Sequence, residues 1–258
     1  MNVSSVEPRR FWGKVEYDGT DFFGFQIQAS ERTVQGEIER ALEAVAGVKT
    51  RVVGAGRTDR GVHARGQVIS FEVAWRHGLS DLQRALNAVL SADVVLLDLG
   101  FAPEGFHPRF SAWRRAYRYT ILNRSWPSPL ERRTAWHLTQ ELDVGQMADA
   151  GDCLLGTHDF ATFGQAPQGE NTVRTVFRAD WLAGGSRLLF DIEANAFLYR
   201  MVRSIVGMLV LVGLGQVSSQ EYREMLHSRD RGLIKQVAPA HGLCLMRVDY
   251  AAHGGVGQ

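Results

Sequence analysis

The sequence is poor in cysteine, in long hydrophobic runs and in net charge. Its two cysteines, Cys153 and Cys244, have neither the spacing of a zinc motif nor the number that a disulfide framework requires. The longest apolar run, residues 205–214, is far short of the roughly 20 residues that cross a membrane, so it predicts a buried core helix. A formal net charge of +1 excludes attraction to nucleic acid through bulk charge, so any basic surface must come from local clustering.

Several signals of other protein classes are also absent. Residues 1–10 are polar, so we expect no secretory signal and predict a cytoplasmic chain. The histidines lack the i, i+4 pairing of a metal site, and the sequence contains neither a P-loop nor a nucleophile elbow. Gly54 and Gly56 precede a predicted strand rather than a helix, which excludes a dinucleotide fingerprint.

The most unusual stretch is the segment 54–66, which is rich in glycine and arginine. It places Asp59 between Arg57 and Arg60, and a strand pattern follows it. Glycine lets a backbone approach a ligand closely, while flanking guanidiniums keep a carboxylate ionised and also bind phosphates. The structural alternative is a polar turn before a strand. The pattern is more typical of an enzyme that holds a polyanion and presents one carboxylate to it.

Hydrophobic periodicity predicts strands and helices in both halves of the chain. In the first half we predict strands at 11–17, 51–53, 67–73 and 93–99, a helix capped by Thr33, and a helix opened by a capping box of Ser80 and Gln83. In the second half we predict strands at 116–122, 173–181, 187–193 and 243–250, a helix opened by Asp143, and a long helix over 197–214.

This order of elements predicts an α+β fold of two similar halves, each a largely antiparallel sheet backed by helices. Pro103, Gly105 and Pro108 cluster near the middle of the chain. We therefore predict an N-terminal domain over residues 1–104, which carries the Asp59 loop, and a C-terminal domain over residues 105–258.

The segment 106–136 interleaves arginines with aromatic side chains. The arginines are Arg109, Arg114, Arg115, Arg118, Arg124, Arg132 and Arg133, and the aromatic residues include Phe106, Phe110, Trp113, Tyr117, Tyr119, Trp126 and Trp136. Guanidiniums bind phosphates and aromatic rings stack on unpaired bases, so the segment predicts a surface for single-stranded or loop RNA. The structural alternative is a solvated strand face above core aromatics.

Arg200 and Arg203 lie three residues apart on the otherwise apolar predicted helix 197–214. Apolar neighbours such as Met201 and Ile205 predict partial burial of Arg203. A buried guanidinium needs a carboxylate or phosphate partner. That partner is either a structural acid or Asp59, whose charge and orientation Arg203 would then fix.

Together these stretches resemble the bacterial tRNA pseudouridine synthase A family, over about residues 11–250. The motifs that carry the resemblance are Tyr17-Asp18-Gly19-Thr20, Gly24-Phe25-Gln26, Thr33-Val34-Gln35-Gly36, the run from Gly56 to Ala64, the run from Phe106 to Ala112, Tyr117-Arg118-Tyr119, the run from Gly156 to Phe160, the run from Phe197 to Arg203, and the run from Ala238 to Leu243. Phe25 stands where the family usually has Trp, and Pro108 replaces a common Ala.

The resemblance implies a role for each matching residue. Asp59 matches the catalytic aspartate, Tyr117 the tyrosine that stacks on the target base, Arg203 the basic partner of the aspartate, and Leu243 an apolar residue that lines the pocket. It also implies two α/β halves related to the RNA-recognition motif with the active-site cleft between them, and a homodimer that acts on the tRNA anticodon stem-loop at positions 38–40. It implies neither cofactor nor metal.

The chemistry of the residues agrees with uridine isomerisation, since a carboxylate in a dry pocket can act as a nucleophile or as a base. Whether Asp59 would attack the base, attack the sugar or abstract a sugar proton stays open. The residues that we predict to contact backbone phosphates are Arg57, Arg60, Arg65, Arg114 and Arg118. The main alternative is a non-catalytic RNA-binding protein or tRNA chaperone. A metal-dependent nuclease would need clustered carboxylates, which the sequence lacks.

Overall fold

The computed structural model describes residues 7–167 and 169–251, so most of the predicted N-terminal polar segment, residues 1–6, lies outside the described residues. The chain forms two compact units. The first comprises the described residues up to Trp113 and those from Leu245 onward, and the second runs from Arg114 to Cys244. The division after residue 104 that we predict from sequence stays a prediction.

The described residues form ten strands and five α-helices. The strands are β1 (Arg9–Tyr17), β2 (Val53–Gly54), β3 (His63–Val73), β4 (Val94–Phe101), β5 (Ala112–Asn123), β6 (Trp136–Leu138), β7 (Gly156–Asp159), β8 (Val173–Gly184), β9 (Arg187–Ala194) and β10 (Leu243–Tyr250). The helices are α1 (Val34–Ala46), α2 (Leu79–Val89), α3 (Val144–Gly151), α4 (Met201–Gly213) and α5 (Ser219–Ser228).

The first unit contains strands in the order β4-β1-β3-β10, with β2 paired to β3. The pairs β1–β3, β1–β4 and β2–β3 are antiparallel. Thr33 caps α1 as predicted, because its side chain accepts a hydrogen bond from the Gly36 amide at 3.2 Å. The helix buries its apolar stripe of Val34, Ile38 and Leu42.

The second unit contains strands in the order β5-β9-β8-β7, and all three of these pairs are antiparallel. The short strand β6 pairs in parallel with β5. The β8–β9 hairpin turns at Gly185, which has a positive φ of 61°. Asp143 caps α3 as predicted, because its carboxylate accepts from the Gln146 amide at 3.0 Å. The mixed α+β class with mostly antiparallel strands backed by helices is thus confirmed.

Several predicted boundaries in the chain are wrong. The predicted capping box of Ser80 does not form, because α2 begins at Leu79 and the Asp81 carboxylate accepts from the Gly78 amide. Gln83 instead donates to the carbonyl of Leu96. The predicted strand 51–53 shrinks to β2, because side chains of α1 bind the backbone of Val52.

The helix predicted over 197–214 begins only at Met201. Arg200 precedes it with a positive φ of 62°, a conformation that cannot continue a right-handed helix. Just before that, the Tyr199 amide donates to the Gln165 carbonyl at 2.9 Å in an isolated β-bridge. Arg200 is therefore not on the helix, whereas Arg203 is.

Helix α4 is the buried core helix of the second unit, as predicted. Every one of its residues is buried except Arg203. Within the ranges that the structure describes, no helix is both long and apolar enough to span a membrane. Strands β6 and β7 and helix α5 are not predicted from the sequence, although Ser218 and Glu221 form a capping box that the sequence displays.

Candidate active site

Asp59 lies in the loop that joins β2 to β3. Its backbone carbonyl accepts a hydrogen bond from the Val62 amide at 3.1 Å, which closes a tight turn. Gly61 takes a positive φ of 78° at the third position of this turn, a conformation that glycine adopts without strain. Asp59 itself is half-buried. The sequence thus builds a turn that presents a carboxylate from a defined backbone.

The segment after β1 supports the Asp59 loop. The Tyr17 hydroxyl lies 2.8 Å from Thr58 Oγ1, and the Phe25 amide donates to the Thr58 carbonyl at 3.1 Å. Gly24 has a φ of 91°, and a Cβ there would lie 2.7 Å from the Thr58 carbonyl oxygen. Only glycine fits this approach. Two motifs that are distant in sequence from Asp59 therefore hold the residue before it.

Three predicted phosphate ligands lie in or next to this loop. Arg57, Arg60 and Arg65 are all exposed to solvent. The guanidinium carbon of Arg60 lies 4.0 Å from the centroid of the Phe23 ring, which is a cation–π contact. Their exposure leaves these cations accessible to a polyanion.

In the second unit, Tyr117 and Tyr119 share one face of β5, because they are two residues apart on a strand. The Tyr117 ring makes an edge contact with Phe197, with centroids 5.0 Å apart. Tyr119 is fully buried, and its hydroxyl donates to the Pro239 carbonyl at 2.8 Å. Burial raises the pKa of Tyr119 far above its usual value, so this hydroxyl remains a donor at physiological pH.

Arg203 is tied to the same backbone segment as Tyr119. Its Nε donates to the Ala238 carbonyl at 2.8 Å, and its own carbonyl accepts from the Ala238 amide at 2.9 Å. The positive charge of Arg203 also acts on Tyr119, where it lowers the pKa by less than burial raises it. Backbone therefore holds the Arg203 guanidinium through its Nε.

Leu243 begins β10 and is buried. It follows Gly242, where a Cβ would lie 2.5 Å from the ring carbon Cζ of Tyr119. This close approach explains why a glycine precedes Leu243. Tyr119 thus contacts the segment that carries Leu243 and the segment that anchors Arg203, and it shares a strand face with Tyr117.

Arg114 and Arg118 lie on the opposite face of β5 from Tyr117. Arg118 binds Asp191 through two hydrogen bonds of 2.7 and 2.8 Å, and Arg114 Nη1 lies 2.9 Å from Glu193 Oε2. The hydrogen bonds to Asp191 raise the pKa of Arg118 above its ordinary value. Both arginines are therefore engaged by acids of β9, and they are less available to phosphate than the exposed arginines of the Asp59 loop.

The predicted site residues divide between the two units. The first unit holds Asp59, Arg57, Arg60 and Arg65, and the second holds Tyr117, Arg203, Leu243, Arg114 and Arg118. The pairing of Asp59 with Arg203 stays a prediction. Within residues 7–167 and 169–251, no group of three or more His, Cys, Asp or Glu side chains is arranged to hold a metal ion.

Comparison with known proteins assigns the chain to a protein family. The model of the tRNA pseudouridine synthase family matches residues 14–110 and 150–251, and the chain belongs to this family. The matched residues include Asp59, Arg203 and Leu243, whereas Tyr117 lies between the two matched segments.

Named relatives agree with the family over nearly the whole chain. The tRNA pseudouridine synthase A of Roseiflexus castenholzii is 44% identical over 245 residues, which cover 93% of this chain and 90% of the relative. The enzyme of the same name from Chloroflexus aurantiacus is 47% identical over 242 residues, with coverages of 91% and 86%. That of Bacillus subtilis is 41% identical over 239 residues, with coverages of 92% and 97%.

A solved structure of an archaeal box H/ACA sRNP Nop10–Cbf5 complex is also similar. Its TM-score is 0.37 at 12% identity, and the match covers 78% of this chain and 43% of that chain.

Proposed function

We propose that this chain isomerises uridine to pseudouridine in the anticodon stem-loop of tRNA, at positions 38–40, with Asp59 as the catalytic carboxylate. The observation that carries the proposal is the family match, which includes Asp59 on a loop held by two other motifs of the chain. The proposal extends to a homodimer, as the resemblance implies, and to a cytoplasmic location.

The reaction is balanced without a co-reactant. The bond between the ribose C1′ and uracil N1 breaks, the base turns, and C1′ joins C5. The proton on C5 is lost to solvent, and N1 gains one. An ionised carboxylate next to C1′ or C6 can serve as nucleophile or base, and a neighbouring guanidinium would keep it ionised. We assign the carboxylate to Asp59 and the guanidinium to Arg203.

The target base must leave its stack before a half-buried carboxylate can reach it. We propose that Tyr117 stacks on the turned-out uracil and that Leu243 excludes water from the pocket. Two observations support these roles. Tyr117 is only half-buried although it lies on a strand face beside the fully buried Tyr119. Leu243 is held in place by the fit between Gly242 and the Tyr119 ring.

Stacking by Tyr117 predicts a difference between two substitutions. Tyr117→Ala should lower kcat about 100-fold, because base–aromatic stacking contributes about 1 to 3 kcal/mol, whereas Tyr117→Phe should lose less than about fivefold because it keeps the ring. Single-turnover pseudouridine formation measures both. Equal losses in the two variants would show that the hydroxyl takes part, and would contradict a role limited to stacking.

Phosphate binding by the exposed loop arginines predicts a change in salt dependence. Arg57→Gln and Arg65→Gln should each reduce the slope of log Kd for tRNA against log salt concentration by about 0.7 to 0.9. Filter binding at several salt concentrations gives the slope. Arg84→Gln is the matched control, because Arg84 is exposed in the same unit but forms an ion pair with Asp81. If the slopes of these two variants match that of the control, Arg57 and Arg65 do not bind phosphates of tRNA.

The proposed activity is tested by tritium release from tRNA labelled at uridine C5, measured in EDTA with wild type and Asp59→Asn. Release by wild type alone supports metal-free isomerisation that depends on Asp59. No release from either protein, with tRNA still bound, would favour the non-catalytic RNA-binding protein. Release that EDTA abolishes would instead require a metal.

A further inference from the structure

Gln67 is a fully buried polar side chain on β3, next to the Asp59 loop. Its exposed fraction is 0%, and its Nε2 donates to the carbonyl of Gly56 at 2.8 Å. The next residue, Val68, accepts a hydrogen bond from the Ala55 amide at 2.8 Å. Strand β3 therefore binds the beginning of the loop through one backbone and one side-chain hydrogen bond.

The Gly56 carbonyl determines the orientation of the Gln67 amide. A carbonyl oxygen can only accept, so the amide nitrogen must face it and Oε1 must point elsewhere. In the part of the chain that the structure describes, Oε1 is buried and has no hydrogen-bond donor. Burial of an unsatisfied acceptor is unfavourable, and an apolar side chain of similar length would avoid it. The bond to the Gly56 carbonyl is thus the hydrogen bond that the Gln67 side chain makes among the described residues.

Gly56 has open space on the side where a side chain would project, because an added Cβ would meet no atom within 4 Å. On the other side of Asp59 the chain is closed by the Val62 amide, and Thr58 is held by Tyr17. The Gln67 amide supplies the corresponding constraint at the start of the loop, three residues before the carboxylate.

We propose that Gln67 is a positioning residue that fixes the Asp59 carboxylate by binding the Gly56 carbonyl. This inference rests on the proposed catalytic role of Asp59. Because Gln67 is fully buried, it offers no surface to tRNA. Its loss should therefore lower kcat and leave the KM for tRNA unchanged, since a displacement of about 1 Å at a catalytic group can cost about 100-fold in rate.

Three variants test the proposal. Gln67→Met keeps the length of the side chain and removes the donor, and we expect kcat to fall about 10- to 100-fold with KM within about twofold of wild type. Gln83→Met is the matched control, because Gln83 also donates to a backbone carbonyl in the same unit, that of Leu96 on β4. An unchanged kcat in Gln67→Met, an equal loss in Gln83→Met, or a loss confined to KM would each overturn the proposal.

Gln67→Glu adds a readout that loss of packing alone would not change. An ionised carboxylate would face the Gly56 carbonyl with no donor, whereas the protonated acid can donate its O–H. Burial raises the pKa of such a carboxyl, so activity relative to wild type should rise as pH falls. His63 also lies on β3, so wild type is measured at each pH. A ratio of Gln67→Glu activity to wild-type activity that does not change with pH would contradict the proposal. This test applies even if Gln67→Met fails to fold.

Hydrogen exchange of the Val62 amide without tRNA separates this inference from the proposed function. Faster exchange in Gln67→Met than in Gln83→Met supports a loosened loop even if Asp59 has no catalytic role. Equal exchange would overturn the positioning role even if the enzyme isomerises uridine.

Discussion

Asp59→Asn is expected to abolish pseudouridine formation while tRNA still binds. The substitution keeps the size of the side chain and its capacity to accept one hydrogen bond, but it removes the negative charge that nucleophilic or basic catalysis requires. We expect the single-turnover rate to fall about 10³-fold or more. The turn around Asp59 is closed by its backbone carbonyl and the Val62 amide, so the loop should persist.

The matched control is Asp98→Asn, since Asp98 is an exposed carboxylate on β4 of the same unit. It should retain wild-type rate and affinity. The Kd for tRNA and the melting temperature of both variants are measured beside the rate. A parallel loss of affinity and rate in Asp59→Asn would count against a catalytic role and for a role in RNA binding.

Gly207→Ala is expected to destabilise the protein although alanine favours a helix more than glycine does. A Cβ at Gly207 would lie 2.3 Å from the Gln236 carbonyl oxygen and 3.0 Å from the Ala238 amide nitrogen. Both are backbone atoms, so no change of side-chain rotamer can relieve the clash. We expect the free energy of unfolding to fall by about 1 to 3 kcal/mol, which corresponds to a melting temperature lower by roughly 2 to 12 °C.

Gly207→Ala should also lower the rate, because Ala238 is the residue whose backbone holds Arg203. The control is Gly151→Ala in α3, where the nearest atom to an added Cβ is Leu209 Cδ1 at 3.9 Å. That variant should be neutral or more stable by up to about 1 kcal/mol, since alanine loses less backbone entropy. Thermal unfolding measures the stability of both variants. Equal stabilities would show that the backbone segment 236–238 moves to accommodate the added methyl group without loss of stability.

The features that depend on neighbouring residues can be predicted from the sequence. Glycine and arginine around Asp59 predict a loop that presents a carboxylate, and Thr33 and Asp143 predict helix caps that form. These signals depend on residues within a few positions of each other. Motif comparison adds Tyr117, Arg203 and Leu243, whose roles remain predictions.

The contacts that hold the site together could not be predicted in this way. The hydrogen bond of Gln67 with Gly56 crosses the Asp59 loop, and the fit of Gly242 against Tyr119 joins residues that are far apart in the chain. A buried glutamine in an apolar strand is a signal that could have pointed to the first. The start of α4 depends on a non-glycine residue with positive φ, Arg200, which local propensity does not anticipate.

Arg114 and Arg118 of β5 differ from the exposed loop arginines, because acids of the same sheet match their charges. On the outer face of β5, β9 and β8, three arginines (Arg114, Arg118 and Arg178) lie among three acids (Asp180, Asp191 and Glu193). This cluster of six side chains has local dipoles but no net charge, so its field cancels within a short distance. A diffusing tRNA would therefore be neither drawn to this cluster nor repelled by it, and the direction of its first approach would be set by cations elsewhere on the surface.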